Sequence, residues 1–230
     1  MGSIRENLKI VRERIDQAAS KAGSRGDDIK LVAVTKNVDV ERIKQIIACG
    51  IEIIGENRVQ EALSKFDYLP AEVEKHLVGH LQTNKAKKAV RLFDMVQSVD
   101  SSDLAFEISK RANEINKEVP ILIEVNTSGE ESKFGIEPEE ALPLIEKIGA
   151  LDNIRIGGLM TVGLWSGEES KVRPCFVKLR KLFERMKEQN IPDVQMKYLS
   201  MGMTSDFEWA ILEGSNMVRI GTGIFGPRVV

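Results

Sequence analysis

Short apolar runs of β type alternate with longer amphipathic stretches along almost the whole chain, and this alternation restricts the fold more than any other feature. The β-type runs are Leu31–Thr35, Glu52–Gly55, His76–Gly79, Met95–Ser98, Ile121–Asn126, Arg155–Met160, Gln195–Leu199 and Met217–Ile220. Between them, apolar spacing of three to four predicts helices near 39–49, 57–66, 84–91, 102–116, 138–149, 168–189 and 204–213. A further helix leads the chain, with Ile4, Leu8, Val11, Ile15 and Ala18 on one face. Asp39, Pro138 and Ser205-Asp206 supply start signals. Eight strands alternating with seven helices predict a (β/α)8 TIM barrel of the α/β class with an extra N-terminal helix. An open doubly wound sheet is the competing arrangement.

At 230 residues and 42 % hydrophobic, the chain can bury one sizeable core. With no linker or charge block to divide it, residues 1–230 read as one domain. A net charge of -2 gives no reason to expect nucleic acid or an anionic membrane as partner. Two cysteines, Cys49 and Cys175, and two histidines, His76 and His80, make neither a disulfide framework nor a metal site. There is no apolar signal core and no stretch long enough to span a bilayer, so a cytoplasmic location is expected.

In such a barrel the active site lies at the C-terminal ends of the strands. That topology gathers Lys36, Asn57, His80, Asn126, Met160, Ser200 and Arg219 at one mouth. Lys36 closes a buried strand, where desolvation favours the neutral amine required for a Schiff base. Ser200-Met201-Gly202-Met203-Thr204 and Gly221-Thr222-Gly223 fall in the loops after strands 7 and 8, where barrels often hold a phosphate. An amine beside a phosphate cradle suggests a cofactor aldehyde. Arg219 ends an apolar strand and needs a partner, either a carboxylate such as Glu124 or a ring nitrogen. His80 is read as a hydrogen-bonding partner before an acid–base group. The basic run Lys85, Lys87, Lys88 and Arg91 reads as a solvated face, and Trp165 and Trp209 as packing residues.

The chain resembles the pyridoxal phosphate homeostasis proteins, relatives of the alanine racemase N-terminal barrel. The resemblance rests on Val32-Ala33-Val34-Thr35-Lys36, Gly55-Glu56-Asn57-Arg58-Val59-Gln60-Glu61 and the stretch from His76 to Lys85. It continues through Gly158-Leu159-Met160-Thr161, Leu199-Ser200-Met201-Gly202-Met203 and the stretch from Val218 to Gly226. One departure is Lys75-His76-Leu77-Val78, where Trp-His-Phe-Ile is usual. The resemblance implies that Lys36 carries pyridoxal 5′-phosphate as a Schiff base. Ser200, Gly221 and Thr222 would hold the phosphate, Arg219 would face the pyridine nitrogen, and Asn57 and Met160 would line the pocket, with His80 and Met201 as further cofactor-binding residues. It implies a cofactor carrier without substantial turnover, with pyridoxal-phosphate-dependent apoenzymes as possible recipients; no long apolar surface patch is evident, so a monomer is expected, with a dimer as the alternative.

An amino acid racemase is the alternative. Two-base proton transfer needs a group on each face of the cofactor, and Lys36 is the evident one. Tyr68 is expected at the far end of the barrel and Tyr198 on strand 7 itself. The last strand ends about ten residues before the C-terminus, leaving no room in this sequence for a second domain. A cation at the ring nitrogen would also disfavour its protonation and weaken the electron sink.

Overall fold

The computed structural model describes residues 3–227. The eight β-type runs form eight parallel strands: β1 (Lys30–Val34), β2 (Ile53–Glu56), β3 (Glu74–Leu77), β4 (Met95–Val99), β5 (Val119–Glu124), β6 (Ile154–Met160), β7 (Val194–Ser200) and β8 (Met217–Ile220). Each pairs with the next in order, and β1 pairs with β8 through Lys30↔Met217 to Ala33↔Ile220, so the sheet closes. That last pairing excludes the open sheet.

Side-chain alternation divides the core into two layers, because successive strand residues point to opposite faces. Val32, Ile53, Val78, Met95, Leu122, Met160 and Met217 fill the barrel interior. Their neighbours Ala33, Ile54, Leu77, Val96, Ile121, Ile123 and Leu159 pack outward beneath the helices. Strands buried on both faces, such as β2 and β4, are largely apolar, whereas β7 alternates exposed and covered residues over its first half.

The helical layer comprises α1 (Ile4–Lys21), α2 (Val40–Ala48), α3 (Val59–Lys65), α4 (Ala86–Leu92), α5 (Ser102–Asn113), α6 (Ala141–Ile148), α7 (Glu169–Glu188), α8 (Phe207–Leu212) and α9 (Thr222–Phe225). Ser3 and Glu6 cap α1 reciprocally, and α1 buries Leu8, Val11, Ile15, Ala18 and Ala19. The α1 helix is fastened to the last elements of the chain. Arg14 makes a two-pronged pair with Glu208 on α8, and Asn7 donates to the carbonyl of Ile224 on α9. Asp39 caps α2 by accepting from the Arg42 amide at 2.9 Å.

Three local expectations are corrected. Strand 3 begins two residues earlier than expected, and Gly79 has left it to pass over Asn57, where a Cβ would lie 2.4 Å from the Asn57 carbonyl oxygen. Asp206 sits at the N-cap of α8 but accepts instead from the Met203 amide at 2.5 Å, holding the preceding loop. α9 was not anticipated, since four residues carry no periodicity.

Candidate functional site

A cavity of about 430 Å³ opens at the C-terminal mouth, within the range of roughly 300–1,000 Å³ of small-molecule sites. Lys36 enters it from the end of β1, Asn57 from β2, Arg219 from β8, and Gly221 and Thr222 from the turn into α9. Thr204 and Ser205 add hydroxyls from the loop after β7, while Val34, Val78, Val162 and Met203 supply apolar wall. Gly202, at φ +94°, lets that loop hug α8; a Cβ there would meet the Ala210 Cβ at 2.6 Å. Thr204 Oγ1 accepts from the Gly223 amide at 3.2 Å and so joins the two small-residue turns. Thr222 opens a helix, so its amide has no intrahelical acceptor.

Four of the nine expected residues lie elsewhere. β7 runs to Ser200, one residue beyond its expected end, so Ser200 points inward and Met201 outward. Ser200 is fully buried and bonded below the mouth, and Met201 packs beneath the helices. Met160 is part of the barrel interior rather than the cavity wall. His80 stands to one side, 3.2 Å from Asp100 through Nδ1 and stacked on Phe134 with ring centroids 3.9 Å apart. Trp165 was read as packing but is 86 % exposed on the cavity rim. Thr204 and Ser205, the first oxygen-bearing residues after the glycine turn, line the cavity where Ser200 does not.

The match to known proteins covers the same span. The model of the alanine racemase N-terminal domain family matches residues 2–229. A pyridoxal phosphate homeostasis protein of Aquifex aeolicus is 43 % identical over 224 residues, covering 97 % of each chain. The chain belongs to the pyridoxal phosphate homeostasis protein family. Among solved structures, a protein of Bifidobacterium adolescentis described as unknown superposes with a TM-score of 0.92 at 40 % identity, covering 96 % of this chain and 94 % of its own. PipY of Synechococcus elongatus, solved with PLP bound, gives 0.85 at 31 % identity, covering 97 % of this chain and all of its own.

In this member of the family, Arg219 is held by a hydrogen-bonded file of side chains inside the barrel. Its Nη1 donates to Ser200 Oγ at 2.5 Å and its Nη2 to the Thr161 carbonyl at 2.7 Å. Ser200 Oγ donates to Gln97 Oε1 at 2.7 Å, Gln97 Nε2 meets His76 Nδ1 at 2.7 Å, and His76 Nε2 meets Glu74 Oε1 at 2.8 Å. The file runs from the N-terminal end of the barrel to its mouth.

Burial pulls the guanidinium down to about 10, against the opposing charges of Glu124 and Asp206, so Arg219 stays cationic at neutral pH. Glu124 was a candidate partner for it. The guanidinium's hydrogen bonds go instead to Ser200 and Thr161, and Glu124 acts on Arg219 through space. Burial and the nearby Asp100 push Glu124 up to about 7.

Proposed function

We propose that this chain holds pyridoxal 5′-phosphate at Lys36 and serves as a cytoplasmic cofactor reservoir that hands it to apoenzymes without substantial turnover of its own. The observation that carries the reading is one cavity combining the strand-end amine of Lys36, the hydroxyls of Thr204, Ser205 and Thr222, and the buried cation Arg219. That donor set fits the group: an amine for an aldehyde, hydroxyls and a helix-start amide for a phosphate, and a guanidinium for a ring nitrogen. When bound, the cofactor supplies an aldehyde for the Lys36 amine. Thr204, Ser205, Thr222 and the Thr222 amide are placed so that they would hold its phosphate. Asn57, with Val34, Val78 and Val162, lines the wall and excludes water.

Arg219 argues for storage over catalysis. A fixed cation at the ring nitrogen disfavours a proton there and weakens the electron sink a racemase needs. The tyrosines do not supply a second base at the mouth. Tyr68 is exposed at the opposite end of the barrel, and Tyr198 packs against the barrel interior. Among the described residues, no helix is long and apolar enough to cross a membrane.

Two measurements test the reading. Borohydride reduction of the loaded protein followed by peptide mass analysis is expected to place the label on Lys36. A label confined to another lysine overturns the assignment. Incubation with L-alanine in deuterated water is expected to give slow or no α-hydrogen exchange, alongside cofactor transfer to an added apoenzyme. Exchange at roughly 1 s⁻¹ or faster restores the racemase.

A further inference from the structure

Lys36 sits between two peptide groups, and one buried cluster grips both. The Thr35 carbonyl accepts from Lys65 Nζ at 2.9 Å, which fixes the peptide plane before Lys36. The Asn37 amide donates to Glu61 Oε2 at 2.9 Å, which fixes the plane after it. Lys65 Nζ also donates to that same Glu61 oxygen at 3.1 Å and to Glu56 Oε1 at 2.7 Å, so all three of its protons have acceptors. Thr35 Oγ1 donates to Glu56 Oε1 at 2.7 Å, closing the cluster onto β1. Glu56 is fully buried, and the Lys65 and Glu61 side chains are 11 % and 21 % exposed.

The two peptide planes flanking a Cα define its φ and ψ, and these set the direction of the Cα–Cβ bond. The cluster therefore fixes the line along which the Lys36 side chain enters the cavity. Asn37 shows what the grip overcomes: it is held in the left-handed region at φ 58°. A triad of carboxylates and ammonium is a poor device for stability alone, because apolar residues of the same volume often serve equally well. It is a good device for orientation, since each bond has one direction.

We infer that Lys65, acting with Glu56 and Glu61, is the positioning residue for Lys36, an inference that rests on the reading of Lys36 as the cofactor-bearing amine. Its effect is confined to the bond Lys36 makes. Pyridoxine 5′-phosphate, which has an alcohol in place of the aldehyde, engages the same ring and phosphate contacts without that bond. Comparing the two ligands separates positioning from general damage.

In Lys65→Met, affinity for pyridoxal 5′-phosphate is expected to fall about ten- to hundredfold while that for pyridoxine 5′-phosphate stays within about twofold. Lys65→Arg, which keeps the charge and the donors, is expected to recover most of the loss. Equal losses for both ligands, or no loss for either, overturn the inference. Where Lys65→Met fails to fold, Glu56→Gln/Lys65→Met removes the stranded carboxylate, and Glu61→Gln weakens the grip from a less buried position. A readout without cofactor is amide hydrogen exchange in Glu61→Ala. Asn37 is expected to exchange at least about tenfold faster than in the parent protein while the β-strand amides are unchanged; unchanged exchange at Asn37 overturns the inference independently. Failure of the cofactor reading would show otherwise, as equal wild-type affinity for the two ligands and no borohydride label on Lys36.

Discussion

Glu124 shows how burial sets charge at a single residue. Its folded pKa, about 7, lies above that of the unfolded chain. The native state therefore holds a proton that the unfolded state releases between about pH 4.5 and 7, and stability falls as pH rises through that window. This contribution is complete below the unfolded value and lost above the folded one. Glu124→Gln removes the titration. It is expected to be more stable than the parent by roughly 1–3 kcal/mol at pH 8, with the advantage shrinking toward pH 5. Urea unfolding of both proteins across that range is the measurement, and a constant difference would show that Glu124 does not titrate there. That Lys36, Asn57 and Arg219 share one cavity with Gly221 and Thr222 was legible from strand-end topology and the small-residue turn after strand 8, though the same topology also gathered His80, Met160 and Ser200, which lie outside it. Ser200 and Met201 were misplaced for the same topological reason: extending β7 by one residue sends consecutive side chains to opposite faces. Lys65 was illegible because a helical lysine reads as solvated until the carboxylates around it are seen.

Among the elements, β6 carries the tightest backbone approach. Gly158 has φ +146°, and a Cβ there would lie 1.9 Å from the Tyr198 carbonyl oxygen on β7. The β6–β7 register shifts at this point, and the β5–β6 register shifts opposite it. A glycine thus lets two strands close where the barrel bends. Gly158→Ala is expected to cost about 3–5 kcal/mol, since strain and overlap combine and the neighbour is backbone. Denaturant unfolding measures it; a loss below about 1 kcal/mol would mean that the strands can part there at little cost. The order and type of the strands could be read from the sequence because burial on both faces writes itself as apolar runs. Their ends could not, since at Glu74 and Gly79 pairing with neighbours, rather than local composition, decides where a strand stops.

For the whole molecule, closure is the decisive property. β8 supplies Arg219 and one edge of the seam with β1, and the turn that follows supplies Gly221 and Thr222. A chain ended after Gly214 lacks all of these and leaves β1 and β7 as open edges. It is expected to lose the cooperative urea transition and to bind no cofactor; a transition with the parent m-value would show that the seam is dispensable. The seam joins β1, near the start of the sequence, to β8, near its end, and α1 lies against α8 and α9. Lys36 therefore leaves the ribosome well before Arg219, Gly221 and Thr222, the partners that complete its cavity. A nascent chain carries this lysine through the synthesis of seven further strands before the pocket around it exists, so the cavity can form only once β8 and the turn after it have emerged.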